Sequence, residues 1–371
     1  MCFTGCKKED PVTPFINTPP PPPPPPPTTI NLNLVPFDIL SKARYNIVAG
    51  AAGNKIVFAG GFYDVPRCWY DSGPDMPGWY DCRYESTRVD IYDTITHTWS
   101  IHELARYYAG TSTVTVGNKI FFSGGIDTSD REYSDTIDIY DASMNSWSTI
   151  QLSEPRANFS AGSIGNKVFF AGGSTHSPNY TVSNKVDIYD VSANSWSTAT
   201  LSEARANPTV TSVGNKIIFA GGWKGGGSST VVDIYDASSN VWSVATLSES
   251  TGFITAFTIG GEAFFIVGAP GNSIPPPRKI DVYNNNTNSW SVKEIDFFAE
   301  GFSSVVRDNK ALVFCGRTVH IYNASNGTWA DAILDRELGY TAIIAVGNRI
   351  YFAGGGSNAD NQTNMIWKLE F

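Results

Sequence analysis

The chain predicts an all-β fold, a closed ring of repeated four-stranded sheets. Two recurring patterns and the composition carry that expectation. A Tyr followed seven positions later by a Trp appears at Tyr92/Trp99, Tyr140/Trp147, Tyr189/Trp196, Tyr235/Trp242, Tyr283/Trp290 and Tyr322/Trp329. Glycine doublets precede these pairs at Gly60-Gly61, Gly124-Gly125, Gly172-Gly173 and Gly221-Gly222, and a last doublet closes the series at Gly354-Gly355. The period is about 50 residues, the scale on which one supersecondary unit repeats and buries its face against the next. High aromatic content with abundant Gly, Ser, Thr and Asn suits short strands joined by tight turns.

Each unit reads in one order. An alternating or small-residue strand, such as 206–213, leads into a Gly-Asn-Lys turn. An apolar strand ending at the doublet comes next, then a Val-Asp-Ile-Tyr-Asp strand, then a Trp-Ser strand running into Leu-Ser-Glu. The turns at Gly53, Gly117, Gly165, Gly214 and Gly347 suit the positive φ of a two-residue hairpin, and Gly260-Gly261 and Asp308-Asn309 take that place in the two remaining units. This signature resembles the kelch repeat, in which each unit is one propeller blade. The resemblance spans 29–371 and implies a seven-bladed kelch-type β-propeller. Six blades is the runner-up, because units five and six carry Val267 and Cys315 in place of the first glycine.

Seven third strands can be written, the last at 365–371, but only six Trp-bearing fourth strands. The missing one is expected at 29–40, pairing the N-terminal strand with the C-terminal blade and removing the open edges of the sheet. The repeated Gly, Tyr and Trp are read as structural, the rings packing between blades.

Residues 1–28 stand apart. Phe3-Thr4-Gly5-Cys6 resembles the lipobox of a bacterial lipoprotein, which implies lipidation of Cys6. Lys8-Glu9-Asp10 resembles the signal that sends such lipoproteins to the cell surface in Bacteroidetes. Nine prolines follow, Pro19 to Pro27, a polyproline II rod of about 28 Å that would hold a globular head off a membrane. The expected location is therefore extracytoplasmic, at the outer membrane and cell surface, with membrane contact only through the lipid. A net charge of -9 argues against nucleic-acid binding, which needs a basic face, and a monomer is expected.

Strands alternate in direction within a blade. The loop from second to third strand therefore opens on the same face as the connection between blades, and functional side chains are expected there. Arg44, Arg106, Arg156 and Arg205 each stand shortly before an innermost strand. Two readings stay open: an anion-binding ring that clamps carboxylates, sulfates or phosphates, or internal pairing with Glu103, Glu154 and Glu203 just upstream. The first reading resembles the basic pocket of peptide-binding kelch domains.

The second feature is the long insert 62–87 of the first unit, with Trp69, Trp79 and Tyr80 among acidic residues and Cys68 and Cys82 placed to staple it. Trp223, on the fourth unit's loop, is expected to line the same face. Four histidines spread over three units give no metal-binding spacing, and neither a cofactor nor a catalytic set is expected. These features favour a non-enzymatic binding module for a protein or glycan. The alternatives are a structural or adhesin-like lipoprotein, and an enzyme resembling the kelch-type sialate mutarotases with Glu103, Glu154 or Glu203 as acid/base.

Overall fold

The computed structural model describes residues 30–370 apart from 72–76, 107–111, 125, 128–131, 176–180, 251–252, 269–277, 296, 298–302 and 357–360. Side chains at 67–71, 77–81, 126–127, 132, 253, 268 and 278 also lie outside the description. Seven antiparallel sheets of the predicted kind form the ring. Blade 1 runs from Val48–Ala52 at the centre through Lys55–Ala59 and Arg88–Asp93 to Thr98–Glu103 at the rim. Blades 2 to 6 begin at Ser112–Val116, Ser160–Ile164, Thr209–Val213, Phe253–Ile259 and Ser303–Arg307. Blade 7 begins at Ala342–Val346. Each innermost strand lies beside the next, and the seventh returns to the first. The count of seven holds, and so does the all-β class.

Local chemistry sets the repeat. The glycine or aspartate opening each first hairpin has a left-handed φ between 52° and 61°, from Gly53 to Gly347. The lysine that follows bonds the aspartate ending the third strand, as in Lys55–Asp93 at 2.7 Å and Lys119–Asp141 at 2.6 Å. That aspartate also accepts backbone N–H groups of the next turn, Asp93 from Ile95 and Thr96. These donors hold the Asp141 carboxyl down at about 2.

The Tyr and Trp of each unit sit opposite one another in register, Tyr140 against Trp147 for example, and pack on the preceding blade. Four of the tyrosines donate to an Asn five residues on, Tyr140 to Asn145 at 2.7 Å, and that Asn has the positive φ that closes the turn. His97 takes the place of this Asn in blade 1. The rings are therefore inter-blade mortar, and five of the tyrosines have hydrogen-bonded hydroxyls.

Closure follows the predicted route with one addition. Val35–Ile39 is the outermost strand of blade 7, antiparallel to Met365–Glu370. Trp99 of blade 1 donates its indole N–H to Asp38 at 2.7 Å, so the seam is tied to the next blade as well. Ahead of it, Ile30–Leu32 does not belong to blade 7: it lies parallel on the rim strand of blade 6, Thr328–Leu334. The N-terminal segment thus spans two blades, with Leu34 and Leu40 buried on either side of the seam strand. Among the described residues no helix is long and apolar enough to cross a membrane.

Each buried leucine contributes about 1.5–3 kcal/mol, and losing the seam strand also strands backbone donors of blade 7. Deleting residues 1–40 is expected to abolish a cooperative thermal transition. Deleting 1–28 is expected to leave the melting temperature unchanged, as read by near-UV circular dichroism.

Candidate functional site

The loop-bearing face is organised by a guanidinium clasp. Arg44, Arg156 and Arg205 are fully buried, 0% exposed, and each belongs to an Arg-x-Asn triplet whose Asn has positive φ. The guanidinium meets the aspartate of its own blade's Val-Asp-Ile-Tyr-Asp strand: Arg44 with Asp90, Arg156 with Asp187, and Arg205 with Asp233 at 2.7 Å. Arg44 also donates to the carbonyls of Gly60, at 2.8 Å, and Arg88. Arg156 repeats this with Gly172 and Lys185, while Arg205 uses the carbonyls of Glu203 and Phe219. Burial pulls the Arg44 guanidinium down to about 10, against the opposing pull of Asp90.

The backbone of the same arginine holds the preceding blade. The Arg44 and Arg205 carbonyls accept from Gly355 and Gly173, the second glycines of the blade 7 and blade 3 doublets, at 2.9 Å. A Cβ on the first glycine of either doublet would stand 2.4 Å from that carbonyl. One motif thus explains the doublet, the arginine and the aspartate together. The clasp arginines offer no surface to an anion from solvent. The internal-pairing reading is the nearer one, though the principal partners are the strand aspartates: Glu154 does form a longer ion pair with Arg156 at 3.7 Å, while Glu103 pairs with Arg88 and Glu203 with Lys224.

Arg106 is not equivalent to the other three. Counting four residues from the buried leucine that ends each connection gives Arg44, Arg156 and Arg205, but Tyr108 in blade 2. Arg106 stands two residues early and is exposed. Blade 5 has Thr251 at the clasp position and keeps the buried Asp281, which takes donors from Ser248. Blades 6 and 7 have changed both partners, to Ala299 with His320 and to Leu338 with Trp367.

The first-blade insert is a hairpin, Phe62–Asp71 against Pro77–Glu85. Its root is bolted to the ring. Gln362 exchanges hydrogen bonds with the Asp64 backbone at 3.0 and 2.6 Å, and the Tyr45 hydroxyl donates to the buried Asp64 carboxylate. Tyr63 stacks on Tyr84 with centroids 5.5 Å apart, and the Lys42 ammonium lies 2.8 Å from the Tyr63 ring centre. Cys82 is disulfide-bonded. The register sets Cys68 opposite Tyr80, two residues from Cys82. The side chains of Cys68, Trp69, Trp79 and Tyr80 lie outside the described residues, as does Cys6. Trp223 is 47% exposed on blade 4, three blades round the ring from the hairpin, so the two are not brought together.

Two adjoining cavities open on this face. One of about 740 Å³ lies at the channel mouth between blades 6, 7 and 1, lined by Asn46, Thr113, Phe314, Cys315, Glu337 and Tyr340 among others. The second, of about 490 Å³, lies in blade 7 and shares Glu337, Gly339, Tyr340 and Thr341 with the first. Tyr340 is 63% exposed and has φ +48°, at the position Asn46 fills in blade 1. A bulky residue in that region is costly, so the backbone around it holds the ring out over the mouth. The sequence pointed to this face and to the insert of the first unit without naming Tyr340. The signal was an aromatic residue where the Arg-x-Asn triplets put Asn.

A Ser229 hydroxyl, opposed by partial burial and aided by Lys224, holds the Glu203 carboxyl below its usual value. Among the described residues no group of three or more His, Cys, Asp or Glu could hold a metal ion.

A family model described as the KLHDC2/KLHL20/DRC7 Kelch-repeats domain matches residues 110–316, more than half of the chain. No curated protein matches it.

Substitutions separate paired from unpaired buried charge. Arg156→Leu leaves the buried Asp187 uncompensated and is expected to cost about 3–5 kcal/mol by denaturant titration, with Arg156→Leu/Asp187→Leu recovering much of that loss. Asp281 has the opposite sign. Burial raises its carboxyl against the Ser248 donors. A raised folded-state value gives stability that is present in acid and lost as pH rises through it. Asp281→Asn is therefore expected to raise the melting temperature at about pH 7 and leave it unchanged near pH 3, below the usual carboxylate value.

Proposed function

The chain belongs to the kelch-repeat family, and from that premise we propose that it is a non-enzymatic binding module whose loop-bearing face takes a protein partner. A kelch propeller suggests a protein-interaction module, and the observation that carries this reading is the concave channel mouth. Its cavity of about 740 Å³ is overhung by an exposed tyrosine on a constrained backbone, which presents a large contact at low entropic cost. The bolted hairpin root stands beside it and extends the same surface. A purely structural spacer has no need of such a mouth.

The head is held at a cell surface as a monomer. The lipobox-like Phe3-Thr4-Gly5-Cys6, the Lys8-Glu9-Asp10 signal and the proline rod support an outer-membrane lipoprotein of the Bacteroidetes type. The disulfide at Cys82 supports an oxidising compartment. Cys6→Ala is expected to abolish incorporation of labelled palmitate and to release the chain from the membrane pellet. Unlabelled wild-type chain would rule the anchor out.

The partner face is tested by photocrosslinking in the source cells, with benzoylphenylalanine at Tyr340 or, as controls, at Ile95 and Met144, which are exposed on turns of the opposite face. A discrete protease-sensitive adduct from position 340 alone is expected. Equal adducts from the controls, or none from position 340, would overturn the reading. An adduct destroyed by periodate and not by protease would make the ligand a glycan.

A further inference from the structure

We propose that the blade 7 cavity is a vacated clasp socket and that it receives an arginine side chain of the protein partner. The inference rests on the partner-binding reading of this face and specifies its chemistry. Its ground is the internal repetition of the ring, which shows three times over what such a socket holds when filled.

In blades 1 and 3 the guanidinium lies among the carbonyl of the first doublet glycine, the carbonyl opening the third strand, and the aspartate two residues later. The blade 7 equivalents are Gly354, Met365 and Trp367, with Leu338 where the arginine would be. Gly354 and Trp367 line the cavity of about 490 Å³, together with Thr341 and Thr363. Leu338 packs on the apolar core with Trp367, and beside it stays a cavity with Gly354, whose carbonyl takes the Thr341 hydroxyl at 3.4 Å, on its wall. This cavity adjoins the channel-mouth cavity.

The exchange of aspartate for tryptophan changes the recognition without reversing its sign. An indole face attracts a guanidinium through its quadrupole and stacks on its plane. Trp367 does this within the chain, where the Arg336 guanidinium carbon lies 5.2 Å from its ring centre. Arg336 does not repel a second cation on balance. It is bonded to Asp335 at 2.9 Å, and the exposed Glu337 on the cavity wall leaves Asp335, Arg336 and Glu337 at -1 together. The net charge of -9 favours a basic partner as well. The occupant is thus cationic, planar and long enough to reach from a partner's backbone, which selects arginine.

The test uses the full chain and a fluorescent Gly-Gly-Arg-Gly-Gly peptide, followed by anisotropy. The same peptide with citrulline for arginine keeps the shape and loses the charge. Binding of the arginine peptide is expected to be at least about tenfold tighter than that of the citrulline peptide. Glu337→Gln, at an exposed position, should weaken it several-fold. Leu338→Arg, which supplies the socket with the chain's own guanidinium, should abolish it. Should Leu338→Arg fail to fold, the citrulline and Glu337→Gln comparisons decide alone. Equal binding of both peptides, no binding of either at millimolar concentration, or full binding by a folded Leu338→Arg chain would each overturn the socket. A partner still crosslinked at Tyr340 by that variant would spare the face reading and remove only this inference.

Discussion

The ring depends on three buried arginines, each paired with a buried aspartate. Each clasp arginine enters from the connection between blades, and its guanidinium is held by an aspartate and carbonyl groups of the blade it introduces. Its backbone is meanwhile bonded to the blade before. Removing two charges from water costs several kcal/mol per ion, and their attraction offsets this only when the remaining donors are also satisfied. The doublet glycines supply part of that satisfaction, while the Nε of each clasp arginine stays buried without a hydrogen-bond partner. Their positive φ turns a carbonyl toward the guanidinium, and their missing Cβ lets the neighbouring arginine carbonyl come close. Doublet, arginine and aspartate are one device distributed over some fifty residues of sequence, which is why they recur together.

A ring built this way still has two chain ends. The N-terminal segment closes it by completing blade 7, and its first residues extend the rim of blade 6 before crossing over. A tether beginning at residue 29 or earlier therefore meets the ring at a rim already backed by two blades. Pairing of this kind spreads a pull along hydrogen bonds of two sheets and gives blade 7 its fourth strand.

How much of this was legible follows from where each signal lies. The blade count and the closure were readable because they depend on local patterns repeated many times, and because a fourth strand was missing from one end of an otherwise regular count. The clasp was only half readable. Arg44 and its partner Asp90 are 46 residues apart, and Arg156 and Asp187 are 31 apart, while Glu154 and Glu203 stand close in sequence and draw attention first. Proximity along a connection that then bends is a poor guide to proximity in space. The displacement of Arg106 was readable in principle by counting from Leu104, since a two-residue offset moves a side chain out of a socket defined to within a few ångströms. The crosswise placement of Trp223 and the hairpin was not readable without the ring order.

The departures from the repeat are more informative than the repeat. Blades 1, 3 and 4 keep arginine and aspartate together, and blades 6 and 7 lose both members, as a buried pair must if neither charge is to be stranded. Two blades break the rule: blade 2 keeps the buried Asp138 with Tyr108 at the arginine position, and blade 5 keeps the buried Asp281 with Thr251 there, where burial raises its carboxyl. A chain that gives up three clasps on one arc gives up stability there. The channel-mouth cavity and the strained Tyr340 lie at that arc, beside blade 7. Stability is conceded where a surface must be open and shaped, and kept where it need only be closed. On this argument the regular half of the ring is scaffold. The irregular half, with the hairpin root beside it, carries the cavities and the exposed Tyr340 on which the proposed partner surface rests.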